Sequence, residues 1–198
     1  MLVLADESEI GEFVLSRNLG RQYGFLHTAF EVWNGGHGLA IDHKFICDLN
    51  FYAVQFLSHE PGAYRQGEVM IANSSHDPPR AKDVPGHMVD FLRQLSRRSG
   101  KNEGIGAASY ALWRLNWIHP FIQGNGRTAR ALCYFVLCKE LKMWLPGNPI
   151  IPERIRKTRP RYEAGLEYAD KIYKESGRID LSKIEAYLND LLTQQLNS

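Results

Sequence analysis

The chain of 198 residues is 44% apolar, has a formal net charge of +2 and contains three cysteines. This length can bury a sizeable core and allows one domain or a closely packed pair. The low net charge disfavours a nucleic-acid partner, and no apolar run could span a bilayer. No signal-peptide pattern follows Met1, and the cysteines lack metal-ligand spacing, so a cytoplasmic protein with reduced thiols and no membrane partner is expected.

The first sixty residues predict helices from apolar periodicity. Residues 1–20 are mixed and partly acidic and predict a short helix or arm. Residues 22–33 predict a helix that the Gly35-Gly36 pair ends, and residues 42–57 predict a second helix with a wide apolar stripe.

Residues 62–73 are the one stretch that predicts strand. Gly67 fits the tip of a hairpin, and polarity alternates over the four residues that follow it. These residues are Glu68, Val69, Met70 and Ile71. A proline-containing loop then leads to a predicted helix at 88–98.

The centre of the chain predicts two apolar helices, at 107–118 and 131–138, joined by a polar loop. The loop at 119–130 reads HPFIQGNGRTAR, which combines one histidine, two glycines, one asparagine and two arginines. A loop that only joined two helices would not need this set of residues.

The chemistry of this loop predicts a polyanion site. Gly124 and Gly126 let a ligand approach the main chain, and Asn125 is a suitable N-cap for the following helix. The N–H groups of that helix N-terminus favour phosphate. Arg127 and Arg130 are three residues apart and would lie on one face.

The same loop places a proton acceptor beside the predicted phosphate site. His119 is the first residue of the loop and titrates near neutral pH. Taken singly, a histidine, a Gly-Asn-Gly turn and two spaced arginines are each more often structural. Their order in one block of twelve residues favours phosphate chemistry with a histidine base.

The block resembles the signature of Fic domains, His-x-Phe-x-(Asp/Glu)-Gly-Asn-Gly-Arg-x-x-Arg, and meets seven of its eight fixed positions. The resemblance implies an all-α, Fic-like helical bundle with one short β-hairpin, the flap, at the active-site mouth. It also implies transfer of AMP, or another nucleotide monophosphate, from ATP as co-substrate to a Ser, Thr or Tyr hydroxyl. The partners would be the nucleotide and an unidentified protein target.

The resemblance also implies roles for individual residues. His119 would deprotonate the target hydroxyl, and Phe121 would anchor the loop in the core. Arg130 would hold the terminal phosphate. The remaining phosphate-binding residues would be Gly124, Asn125, Gly126 and Arg127.

Gln123 departs from the signature, because the family has an acidic residue there that binds Mg²⁺. A glutamine offers one neutral carbonyl oxygen, a poorer ligand for a hard cation. The alternative function is therefore a nucleotide-binding regulatory module with little or no transferase activity. The intact His119 argues against it, since binding alone needs no base.

Three further segments have weaker interpretations in the light of the resemblance. Val69, Met70 and Ile71 would form a flap edge that pairs with an extended target segment, or else a plain hairpin packed on the bundle. The spacing of Ser99 and Glu103 fits the short pattern of the family's inhibitory helix, but the nearby glycines make a chance match the better interpretation. Residues 8–13 fit that pattern incompletely.

The C-terminal part predicts two more helices, at 162–172 and 179–192. Residues 152–161 are rich in arginine, which indicates a solvated face, or else a surface that steers nucleotide phosphates or a nucleic acid. Tyr162 or Tyr168 would border the adenine. The chain is thus expected to be a single Fic-like domain over 1–198, with a core at about 61–170, N-terminal helices at 1–60 and the closing helix at 179–192.

Overall fold

A computed structural model describes residues 3, 8–71, 74, 76–100 and 104–198, and its regular structure is helical. A short 3₁₀ turn at Ala81–Asp83 precedes the third of eight α-helices in this part of the chain. The helices are α1 (Glu9–Asn34), α2 (His43–Val54), α3 (Val84–Arg98), α4 (Gly104–Ile118), α5 (Asn125–Glu140), α6 (Ile151–Lys157), α7 (Arg159–Ser176) and α8 (Ser182–Leu196).

The core of the fold is the pair of helices α4 and α5, which pack against each other along their length. Both are buried on nearly every face, as expected for helices that other helices surround. Helices α1, α2, α3 and α8 pack around the pair, while α6 and α7 lie against α8 and one side of it. The loop between α4 and α5 is therefore held from several sides.

The N-terminal segment forms one long helix, α1, where the sequence predicted a short arm followed by a separate helix. Ser8 caps it, its side-chain oxygen accepting a hydrogen bond from the Gly11 N–H. Two polar residues that interrupt the apolar pattern, Asn18 and Gln22, are buried and donate to main-chain carbonyls of Gln55 and Leu49. Hydrogen bonds to α2 and to Gln55, the residue that follows it, thus take the place of the apolar contacts that a regular apolar stripe would make.

The all-helical class is confirmed, but the predicted β-hairpin at 62–73 is wrong for the described residues of that stretch, none of which lies in a strand. Its Ala72 and Asn73 are outside the described residues. Arg65 supplies the physical reason: its buried guanidinium donates to the carbonyls of His119, Gly67 and Pro79. The segment is fixed through one side chain, so no cross-strand ladder is needed to hold it.

The predicted docking residues therefore lie in an irregular segment. Met70 is 95% exposed, and Val69 and Ile71 are half-buried. In the described part of the chain, no helix combines the length and the apolar character needed to cross a membrane.

Candidate active site

The loop between α4 and α5 turns at Gly124, which has a left-handed backbone with φ +80°. A Cβ atom at this position would lie 2.3 Å from a methyl carbon of Val54. Both the backbone conformation and the close approach of α2 therefore require glycine. Because of this turn, the N-terminus of α5 lies next to the C-terminal half of α2.

The sequence suggested that Asn125 caps α5. In the structure, Gly124 occupies the N-cap position and Asn125 is the first helical residue. Its buried side chain instead accepts from the Phe121 N–H at 2.9 Å and donates to the Phe121 carbonyl at 2.8 Å. These two bonds close the loop on itself and hold Phe121, which is 1% exposed, in the core. The N–H groups of Asn125 and Gly126 have no acceptor within the helix and remain available to a ligand.

The fully buried side chain of Asn50, in α2, supports the loop through hydrogen bonds. Its Nδ2 donates to the Gln123 carbonyl at 2.9 Å and to the Thr128 hydroxyl at 3.2 Å. Its Oδ1 accepts from the Gly62 N–H at 3.0 Å. One side chain thus ties together α2, the segment after it and the start of α5.

Arg65 holds the main chain at His119 and Pro120. The Arg65 Nε donates to the His119 carbonyl at 2.8 Å, and the Arg65 N–H donates to the Pro120 carbonyl at 2.9 Å. His119 itself has φ +50°, an uncommon conformation for a residue with a side chain. The main chain around this histidine is therefore fixed by contacts outside its own helix.

The imidazole of His119 is oriented as a proton acceptor. Its Nδ1 lies 3.3 Å from the Asn116 carbonyl, which can only accept, so Nδ1 carries the proton and Nε2 keeps its lone pair. Burial, and to a lesser extent the charges of Arg65 and His76, lower the pKa of His119 to about 4. The ring is consequently neutral, and able to accept a proton, throughout the physiological pH range.

Two cations of α5 accompany this base. The NH1 of Arg130 would lie 3.1 Å from a Cβ at position 126, so Gly126 leaves room for the guanidinium. Burial raises the pKa of Tyr162 to about 12, and the positive charge of Arg130 partly opposes this rise. Among the described residues, no carboxylate forms an ion pair with Arg130. Arg127 lies one turn earlier and contacts the Ala53 carbonyl at 3.4 Å.

These groups meet in a cavity of about 1180 Å³. His119, Gly126, Arg127 and Arg130 line it, while Gln123, Gly124 and Asn125 of the same loop do not. Ile71 lines the cavity, and Val69 and Met70 do not. The remaining walls come from α1, α4, α6, α7 and the segment around His76. The structure thus brings the histidine and both arginines together and leaves part of the loop as support.

The residues around Gln123 do not fit a magnesium site held by the protein. Its main-chain carbonyl accepts from Asn50, and its side chain offers only an amide oxygen, where Mg²⁺ prefers carboxylates and phosphates. Within the described ranges, no group of three or more His, Cys, Asp or Glu side chains could hold a metal ion.

The arginines of the segment 152–161 lie in two different environments. Arg154 and Arg161 bind the C-terminal part of the chain, through Ser198 and Asp190. Arg156 and Arg159 line the cavity, although Arg159 also pairs with Glu163 at 2.6 Å. Arg156 and Arg159 are therefore the residues of this segment placed to steer phosphates, and that role stays a prediction.

The structure also places several other residues that had weaker interpretations from the sequence. Tyr162 lines the cavity, whereas Tyr168 donates to Asp180 and does not. Glu12, of the incomplete inhibitory pattern, lies on the cavity wall contributed by α1. Glu103 of the second pattern is outside the described residues, and Ser99 ends α3.

Comparison with known proteins agrees with this architecture. Residues 40–137 match the model of the Fic/DOC family, a range that contains Asn50, Arg65 and the whole histidine loop. The chain belongs to the Fic/DOC family. A protein adenylyltransferase Fic from Drosophila persimilis is 38% identical over 100 residues, which are 49% of this chain and 18% of that protein. The present chain therefore corresponds to a small part of the curated relatives it matches.

Solved structures of Fic proteins share the fold. Fic-1 from C. elegans has a TM-score of 0.74 at 20% identity, covering 98% of this chain and 53% of the other. BepC from Bartonella tribocorum, solved with bound AMPPNP, has a TM-score of 0.54 at 12% identity, covering 96% of this chain and 92% of the other. The shared fold thus includes the helical bundle around the loop.

Sequence reasoning missed the supporting residues of this Fic site. Asn50 is a polar residue inside an apolar helical stripe, and that interruption was the available signal. Arg65 lay in a stretch interpreted as strand, where nothing marked it as buried. The residues of α1 that line the cavity carry no motif, so their position depends on tertiary packing alone.

Proposed function

We propose that this Fic domain transfers a nucleotide monophosphate, AMP or another, from a nucleoside triphosphate to a protein hydroxyl group. The observation that carries the proposal is the convergence of His119, Arg127 and Arg130 on one cavity large enough for a nucleotide. The naming of relatives as protein adenylyltransferases supports it, as does the AMPPNP bound to a protein of the same fold.

The phosphates bind at the start of α5. The N–H groups of Asn125 and Gly126, with the dipole of the helix, favour an anion at this position. Arg127 and Arg130 add charge-assisted hydrogen bonds. Arg130 takes the terminal phosphate, an assignment that the lack of an ion pair with any described carboxylate supports. The side chain of Asn125 takes no part, since both of its polar atoms bind Phe121.

The chemical step is an in-line displacement at the α-phosphorus. The hydroxyl oxygen of the target forms the new bond to this phosphorus, and the bond to the oxygen bridging the α- and β-phosphates breaks. Pyrophosphate leaves, and the hydroxyl proton passes to Nε2 of His119. Catalysis otherwise depends on placement and on neutralising phosphate charge.

The target segment lies along residues 69–71. Met70 is 95% exposed, and the main chain of Val69 and Met70 forms no hydrogen bond to another described residue. An extended peptide could pair with these free groups without a preformed hairpin. Ile71 lines the cavity and would bring the peptide hydroxyl toward His119.

No step in this reaction depends on a metal held by the protein. Magnesium, where present, would arrive on the nucleotide, with the phosphates and water as its ligands. The neutral Gln123 is also the observation that favours a second function, a nucleotide-binding regulatory module with little or no transfer.

The test is incubation of the protein and a cell lysate with ATP or GTP labelled either at the α- or at the γ-phosphate. Monophosphate transfer leaves the α-label on protein and releases the γ-label with pyrophosphate. Retention of the γ-label would indicate phosphoryl transfer instead. Binding of either nucleotide without α-label on any protein would favour the regulatory module.

A further inference from the structure

The cavity continues well beyond its phosphate end, along one face of α7. Tyr162, Leu166 and Asp170 are spaced four residues apart on this helix, and all three line the cavity. Tyr162 marks the phosphate end, because its hydroxyl lies next to Arg130 and accepts from Asn116 at 2.9 Å. Asp170 is eight residues farther along, a rise of about 12 Å.

Asp170 presents a carboxylate oxygen to this far end. The Trp113 indole N–H donates to its Oδ1 at 2.8 Å, which fixes the orientation of the carboxylate. In the described part of the chain, its Oδ2 accepts no hydrogen bond, and Nδ1 of His76 lies 3.9 Å from it. The side chain is 21% exposed, so most of its surface is removed from solvent. This carboxylate oxygen is therefore able to accept a hydrogen bond from a ligand in the cavity.

The surroundings of Asp170 suit a flat aromatic group. Trp117 is half-buried and lines this end of the cavity together with the fully buried Trp113. His76 lies beside them, and its Nε2–H donates to the Trp117 carbonyl at 2.8 Å. The Arg114 guanidinium also lies over the Trp117 ring, 4.1 Å from its centroid. Aromatic surface beside one oriented polar group is the usual composition of a nucleobase pocket.

The distance from the phosphate end favours contact with the base over contact with the sugar. The ribose hydroxyls of a nucleotide lie next to its phosphates, whereas the Watson–Crick edge of the base is the part farthest from them. A carboxylate two helical turns beyond the phosphate end therefore meets the base edge. The placement of the base beside Asp170 rests on the proposed function, because the α5 end of the cavity is taken as the phosphate site.

We infer that Asp170 selects guanine, so that the preferred co-substrate is a guanosine nucleotide. Guanine presents two adjacent donors on this edge, its ring N1–H and its exocyclic amine, and a carboxylate can accept both. Adenine and cytosine each present one amine beside an acceptor nitrogen, whose lone pair repels a carboxylate. An amide side chain has the opposite preference, because it offers a donor and an acceptor together and pairs with adenine.

The experiment compares the dissociation constants of GTP, ITP and ATP by calorimetry. Inosine has the ring N–H of guanine and lacks its amine, so it tests each donor separately. We expect the wild-type chain to bind GTP most tightly and ATP most weakly, with a total difference on the order of tenfold to a hundredfold. Asp170→Asn should weaken GTP and strengthen ATP, because it exchanges one acceptor for a donor while Trp113 can still donate to the other oxygen.

Asp190→Asn serves as the control, since it removes the same charge from an exposed position on α8 that does not line the cavity. It should leave the ratio of the three affinities unchanged. Equal or tighter binding of ATP by the wild-type chain, or a ratio that Asp170→Asn does not move, would overturn the guanine assignment and leave the proposed transfer intact. Failure of all three nucleotides to bind would overturn both.

Discussion

At the scale of single residues, the site depends on a neutral histidine held between a carbonyl and an arginine. Asn116 fixes the proton on Nδ1, and Arg65 holds the main chain of His119. Burial removes most of the solvation that a charged imidazole would need, so the base form persists at acidic pH. The position of one ring thus follows from two contacts that lie outside the signature.

The lowered pKa of His119 predicts an unusual pH profile. A histidine with its ordinary pKa of about 6.5 would lose activity as the pH falls through that value. Because the pKa of His119 lies at about 4, kcat/KM for the transfer should change little between pH 8 and pH 5.5 and fall only below that range. Initial rates of α-label transfer across this range would measure it, and an acid limb centred near 6.5 would contradict the assigned environment.

The two arginines of α5 are predicted to differ in what they recognise. Arg127→Ala and Arg130→Ala should each weaken binding of a nucleoside triphosphate, roughly tenfold or more, since each removes a charge-assisted contact. If Arg130 holds the terminal phosphate, its loss should affect the triphosphate far more than the monophosphate. Calorimetry with both nucleotides would measure this contrast, and equal losses would remove the assignment.

Gln123 gives a prediction on metal dependence. Gln123→Glu restores an anionic oxygen at nearly constant shape and should lower the magnesium concentration needed for half-maximal transfer several-fold. In the absence of metal, the new carboxylate should instead weaken nucleotide binding by repulsion. A magnesium titration of α-label transfer by both proteins measures this effect. An unchanged titration would show that position 123 does not influence the metal.

Among the secondary-structure elements, α1 forms one wall of the cavity, although its sequence contains no motif that predicts this position. Gly20 lies in the interior of this helix and lines the cavity, with open space where a side chain would begin. Gly24, one turn later, also has open space but does not line the cavity. The two glycines form a matched pair that tests what this wall faces.

Gly20→Glu should place a carboxylate in the cavity with Arg127 and Arg130 and repel the phosphates of a nucleotide, weakening its binding roughly tenfold. Gly24→Glu adds the same charge to the same helix outside the cavity and should leave the affinity unchanged. Both changes replace glycine with a better helix former and should raise the free energy of unfolding by up to about 1 kcal/mol. Equal nucleotide affinities of the two variants, measured by calorimetry, would contradict the position of this wall.

At the scale of the whole molecule, the sequence predicts the helical class and the central loop because both have local signals. Apolar periodicity marks α4 and α5, and twelve consecutive residues carry the chemistry of the site. The predicted hairpin is wrong because the alternation at Glu68–Ile71 has no ladder to support it, and a buried arginine fixes the segment instead. Asn50, Arg65 and the α1 wall depend on contacts between distant parts of the chain, which periodicity does not report.

His119 is proposed as the base for transfer of a nucleotide monophosphate. The most direct measurement is α-label transfer by the wild-type chain, His119→Ala and the control His59→Ala, which changes an exposed histidine, with nucleotide affinity measured for each. Loss of transfer by His119→Ala on the order of a hundredfold or more, with affinity nearly unchanged and the control unaffected, is the predicted result. Equal labelling by His119→Ala and the wild-type chain would contradict the claim.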